Sequence, residues 1–159
     1  MADFKDIVTE IETIANAQNG INSFKYGNPI EINESRQKTK PMLMLHKQRR
    51  ATYNEFEKPI KTYECTIGIY DTYLQSQRAT KDYSVKQQDL ENLMEHFLRE
   101  FRKRSHGLTA QVTSVQDWFM LERVTTELIE VLGSDSLVGI EATITIQVAS
   151  DCDTGTFSY

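Results

Sequence analysis

From Ser84 to Ser105 the chain reads SVKQQDLENLMEHFLREFRKRS, and its apolar positions recur at steps of three and four. That spacing puts Leu90, Leu93, Met94, Phe97, Leu98 and Phe101 on one stripe of an α-helix. Gln88, Glu91, Glu95, Arg99, Arg102 and Lys103 fall on the opposite, water-facing side. The ends are marked as well. Ser84 and Gln87 have the spacing of a capping box, and Asp89 and Glu91 lie early while Arg102, Lys103 and Arg104 lie late, as the helix dipole favours. Gly107 is placed for a left-handed cap. A stripe this broad predicts a sheet face beneath it, with this helix at the centre of the fold.

A second helix is predicted over Asp3 to Ala17, with Phe4, Ile7, Val8, Ile11, Ile14 and Ala15 as its apolar stripe, Asp3 as N-cap and Asn19-Gly20 as its stop. Ile21 to Tyr26 alternates imperfectly and reads as a strand. Gly27-Asn28-Pro29 is a turn, Ile30 to Asn33 a brief strand, and Glu34 to Lys40 a loop. Pro41 to His46 (PMLMLH) is a short continuous apolar run, the pattern of a buried strand. Lys47 to Lys58 (KQRRATYNEFEK) is polar and reads as a long loop. Thr62 to Tyr70 then alternates, with Tyr63, Cys65, Ile67 and Ile69 on one face. The two apolar segments therefore form a hairpin with an unusually long connection, and connections of that length tend to carry function.

Thr109 to Val115 is β-branched and strand-like. Trp118 to Leu132 could be read as a helix by spacing, but its Val, Thr and aromatic content favours a strand or a strand pair. After the turn Gly133-Ser134-Asp135-Ser136, the residues Val138, Ile140, Ala142, Ile144, Ile146 and Val148 alternate with polar ones, as in an antiparallel sheet covered on one side. The order of elements predicts an α+β fold: a mostly antiparallel or mixed sheet packed by the long central helix and the N-terminal helix. Residues 1–150 form one domain in this reading, and 151–159 a polar C-terminal tail.

Composition adds few constraints. The 159 residues carry a formal charge of −5, with 39% hydrophobic and 26% charged residues, which suits a globular domain and gives no general attraction to nucleic acid or anionic lipid. The N-terminus lacks the order of a signal peptide, and no apolar run approaches the roughly 20 residues of a membrane span. Cys65 and Cys152 read as free thiols of a cytosolic protein.

Candidate chemistry is sparse. His46, His96 and His106 lack metal-ligand spacing. Gly133 to Ser136 is not a nucleophile elbow, because it precedes a strand, and the seven glycines form no phosphate loop. Asp151 and Asp153 sit in the polar tail. Arg36, Lys38, Lys40, His46, Lys47, Arg49 and Arg50 form a basic cluster that could meet phosphates or an acidic protein surface. Tyr53, Phe56, Tyr70, Tyr73 and Tyr83 bring aromatic rings near it, a composition of interfaces and equally of core edges.

The C-terminal third resembles the closing hairpin of the tail-terminator and tail-completion (neck, head–tail joining) proteins of tailed bacteriophages. The resemblance rests on the aromatic strand VQDWFMLERVTTELIEVL, Asp135, the Leu137-Val138-Gly139 step, the alternating Ile140 to Val148, and the tail Asp151 to Asp153 with Cys152. The upstream order of helix, hairpin and central helix is similar too. It implies a virion structural protein assembled in the host cytoplasm, a homo-oligomeric ring, commonly six-fold. Such a ring would cap the head-proximal end of a tail and contact the tail tube and the head connector or stopper. It implies no enzyme activity, no cofactor and no membrane. The segment Lys47 to Lys58 would then contact a neighbour, with Lys47, Arg49, Arg50, Tyr53 and Phe56 as interface residues. Two other functions fit the same residues: a small-molecule-binding or enzymatic α+β domain, and a nucleic-acid-binding accessory protein using Arg36 to Arg50.

Overall fold

The computed structural model describes residues 4–28, 40–53, 60–72, 81–105, 118–120, 123–131 and 137–149. Two helices, α1 (Phe4–Ala17) and α2 (Lys81–Ser105), lie on one face of a six-stranded sheet. Its strands are β1 (Ser23–Gly27), β2 (Met42–Tyr53), β3 (Ile60–Thr72), β4 (Trp118–Met120), β5 (Thr125–Val131) and β6 (Leu137–Ala149). Across the sheet the order is β1-β2-β3-β6, and β6's far edge is shared by β4 and β5. Every pairing is antiparallel except β1 with β2, which is parallel. The α+β class and the mixed, mostly antiparallel sheet match the expectation.

The core forms where the predicted stripes meet. Ile7, Ile11 and Ile14 of α1 and Leu90, Met94, Phe97 and Phe101 of α2 close over Leu43, Leu45, Cys65, Ile67, Ile69 and the even-numbered residues Val138 to Val148. Fully burying one such side chain contributes roughly 1.5–3 kcal/mol. Gly20 ends the turn after α1 with φ of 95°, and the Gln18 amide donates to the Ile14 carbonyl at 3.0 Å. Arg104 of α2 forms an ion pair with Glu10 of α1, tying the two helices together.

Two sequence expectations change. The central helix begins at Lys81, so Ser84 lies inside its first turns and does not cap it. The extra residues have a tertiary reason, since Tyr83 packs on the core and its hydroxyl donates to Glu130 of β5 at 2.6 Å. The long loop assigned to Lys47 to Lys58 is instead strand as far as Tyr53, paired residue for residue with β3. A bulge starts this extension: His46, Lys47 and Gln48 all lie between the pairs Leu45–Ile67 and Arg49–Cys65, opposite Thr66 alone. The strand pair expected within 118–132 is present as β4 and β5, both paired with β6. The expected elements at Ile30 to Asn33 and Thr109 to Val115, the loop before Lys40, the Gly107 cap and the C-terminal tail lie outside the described residues.

Candidate functional site

β2 changes character at its bulge. Met42 to His46 are buried, whereas Lys47 to Tyr53 are all exposed, on both faces of the sheet. β1 ends at Gly27, opposite His46. Beyond that point, among the described residues, β3 is the only strand that pairs with β2, on one edge. The result is an outer half of β2, 47–53, here termed the arm, with one edge paired to 61–65 of β3, which β6 pairs in turn, and the other edge open among the described residues.

Alternation sorts the arm's side chains. Arg49, Ala51 and Tyr53 share the helix face with Cys65, Tyr63 and Lys61, while Arg50 and Thr52 share the far face with Glu64 and Thr62. Arg49 is held at the arm's root. Its guanidinium carbon lies 3.9 Å from the centroid of the Phe4 ring, and Nη1 donates to the Tyr26 hydroxyl at 2.9 Å. That cation–π and hydrogen-bond arrangement seals the core edge around Phe4 and Tyr63, whose rings are 5.0 Å apart. Tyr53 is 53% exposed, with the Lys61 ammonium 5.4 Å from its ring centroid. Lys47 and Arg50 are exposed too. The candidate interface residue Phe56, together with Arg36 and Lys38, lies outside the described residues. The basic cluster of the sequence is therefore divided: His46 is buried on the far face, Arg49 turns to the helix face, and Arg50 points the other way.

At the inner end of the arm sits a polar chain that sequence reasoning missed. The Tyr70 hydroxyl donates to Glu141 Oε1 at 2.7 Å, and His46 Nε2 lies 2.9 Å from the same hydroxyl. The hydroxyl has one proton, and the carboxylate takes it. His46 therefore presents Nε2–H as donor, so the three groups form one directional chain. Tyr70 is wholly buried, packed with Met42, Met44, Leu137 and Ile129 on the far face. Its ring lies flat across Gly68 and Gly139; a Cβ at Gly68 would come within 2.6 Å of ring carbon Cε2, and one at Gly139 within 2.9 Å of Cε1. The glycine of the Leu-Val-Gly step thus has a packing reason of its own. Glycines inside strands were the signal available, because they mark close approach of another group.

Burial pushes the His46 pKa below its ordinary 6.5, opposed by the charge of Glu141, and burial together with Glu141 pushes the Tyr70 phenol up. The sign for stability follows from proton counting. Above pH 6.5 the histidine is neutral in both states. Below it the unfolded chain takes up a proton that the folded chain resists, so stability falls as the pH drops from 6.5 toward the lowered folded value. Urea unfolding of wild type between pH 7.5 and 5 should show this loss, and His46→Gln, which can still donate to Tyr70, should show a flatter profile. Parallel profiles would exclude His46 as the source.

Among the described residues, depressions lie on either side of α2. A cleft of about 750 Å³ is bordered by Asn19, Asn22, Asp71, Lys86, Asp89 and His96, with Lys86 ion-paired to Asp71 at 3.0 Å. A smaller groove of about 370 Å³ lies between α2 and β5, floored by Met94, Leu98, Val124 and Ile140. Cys65 is a free thiol buried in the core, its pKa pushed up to about 12 by burial, so it is held as an unreactive thiol. Among the described residues there is no group of three or more metal-ligating side chains, and no helix is long and apolar enough to cross a membrane. No family model matches the chain, and no curated protein sequence matches it.

Proposed function

We propose that the chain is a structural assembly subunit, a tail-terminator or neck ring protein that caps the head-proximal end of a phage tail and joins it to the head connector. The observation that carries this reading is the arm. A strand exposed on both faces, with cations and an exposed tyrosine, contributes little to its own monomer's core. Tyr and Arg are the side chains that dominate protein interfaces when buried by a partner. A ring needs contacts between two different surfaces of the same chain, repeated by rotation, and the open edge of β2 at one side of the sheet supplies one of them. The resemblance of the closing hairpin, 115–153, supports the same reading. The far-face chain at the arm's root would fix the arm's direction, since one buried and one part-buried hydrogen bond hold β2, β3 and β6 in one arrangement.

The test is light scattering after size exclusion across a wide concentration range, with negative-stain images of the large species. Wild type should form a closed ring on concentration. Arg50→Glu and Tyr53→Ala should raise the concentration needed by tenfold or more while leaving the melting temperature unchanged, because surface substitutions at exposed sites stay within about 0.5 kcal/mol. A monomer at every concentration would count against the ring. It would favour a small-molecule-binding domain, for which the polar cleft beside Asp71 and Lys86 is the observation to pursue by thermal-shift screening.

A further inference from the structure

We infer that the groove between α2 and β5 receives the arm of a second copy of this chain, so that the sheet continues from one subunit into the next. The inference rests on the ring-subunit reading and names the surface that the arm meets.

The groove lies at the opposite side of the sheet from the arm. β5 is an edge strand there: among the described residues β6 alone pairs with it. Its helix face carries Thr126 and Leu128, the latter 36% exposed, beside the apolar floor of Met94, Leu98 and Ile140. An apolar floor open at an unpaired strand edge is a site for an added strand that also delivers a side chain. Its volume, about 370 Å³, is at the small end of the roughly 300–1,000 Å³ of ligand pockets, room enough for one aromatic side chain.

Strand directions and faces fit without adjustment. Three antiparallel steps separate β2 from β5, so the two run in opposite directions within a subunit. A neighbour placed in the same orientation would therefore bring its arm antiparallel to β5. The helix faces of both copies are then on the same side. Ala51 and Tyr53 of the arm come to the side of Thr126, Leu128 and the groove, and Arg50 comes to the side of Glu127. One alternation thus sends the exposed aromatic to the apolar floor and a cation to a carboxylate.

Charge points to the same occupant. The exposed half of β2, KQRRATY, has three cations and no anion, whereas β5, TTELIEV, has two anions and no cation. Like-with-like contact, arm to arm or β5 to β5, would set like charges against each other, so the charges select the head-to-tail pairing. Such a contact gives a ring if its rotation closes and a filament if it does not.

The decisive experiment is disulfide trapping in a Cys152→Ser background, with Ala51→Cys on the arm and Thr126→Cys at the groove. The doubly substituted chain should oxidise to a ladder of covalent oligomers that ends at the ring size. Either single substitution should give no ladder. In parallel, Thr126→Trp should block the groove and weaken ring formation at least tenfold at unchanged melting temperature. Arg50→Glu combined with Glu127→Lys should recover assembly that either change alone loses. Rings that form without the ladder, or that trap only arm to arm, would overturn this inference and leave the ring-subunit reading standing. Absence of any self-association would overturn both.

Discussion

Gly139→Ala is expected to destabilise the protein by about 2–6 kcal/mol. Overpacking a filled site contributes ~1–3 kcal/mol, and displacing the Tyr70 ring strips the buried partners of its hydroxyl, which costs ~1–3 kcal/mol more. The geometry leaves little room for relief. The added methyl group would meet not only the Tyr70 ring but also the Ile69 carbonyl oxygen at 3.1 Å, and that oxygen belongs to the β3 backbone. Tyr70 cannot tilt away without leaving Glu141 and His46. A double-mutant cycle isolates the cause. In a Tyr70→Ala background the same Gly139→Ala change should cost less than about 1 kcal/mol, because the methyl group then enters the space the ring vacated. If urea unfolding shows equal costs in both backgrounds, the tyrosine is not why position 139 is glycine.

How much of this could be read from the chain depends on whether a segment's partners leave a local trace. β6 was legible because one face meets the helices and the other does not, so its apolar residues alternate from Val138 to Val148 without a break. The α2 stripe was legible for the same reason. The first turn of α2 was not, because it is held by the Tyr83–Glu130 contact across 47 residues of sequence. The outer half of β2 looked like a loop for a physical reason too. Both its faces are exposed, and so KQRRATY carries no alternation; its strand state comes from backbone pairing with β3. Composition singles out Lys47, Arg49, Arg50 and Tyr53 as candidates, but only the ladder shows that Arg49 and Arg50 point to opposite faces. The His46–Tyr70–Glu141 chain was illegible as chemistry, since its members come from three strands and none sits at a recognisable spacing. Gly68 and Gly139 hinted that something lay over the sheet, without saying what.

Phe97→Ala should have the other large effect, a loss of about 3–5 kcal/mol. Phe97 is completely buried at the middle of α2 and lies parallel to Phe101 with ring centroids 6.0 Å apart, so truncation removes packing against both the sheet and its helical neighbour. For a domain whose whole stability is of order 5–15 kcal/mol, that is about a fifth or more of it. At roughly 2–4 °C per kcal/mol for a chain of this size, the melting temperature should fall by about 6–20 °C. Val85→Ala is the control on the same helix: Val85 is 57% exposed, and its loss should stay within about 0.5 kcal/mol. The contrast bears on function as well as stability. If α2 is the rigid wall of the groove, Phe97→Ala should also weaken ring formation at temperatures where the variant remains folded, because Met94 and Leu98, the groove residues flanking it in sequence, would lose the packing that positions them. Val85→Ala should leave assembly untouched. Equal assembly by both variants at such a temperature would mean that the floor of the groove does not depend on the core behind it, and the contact would then have to reside in the strand edges alone.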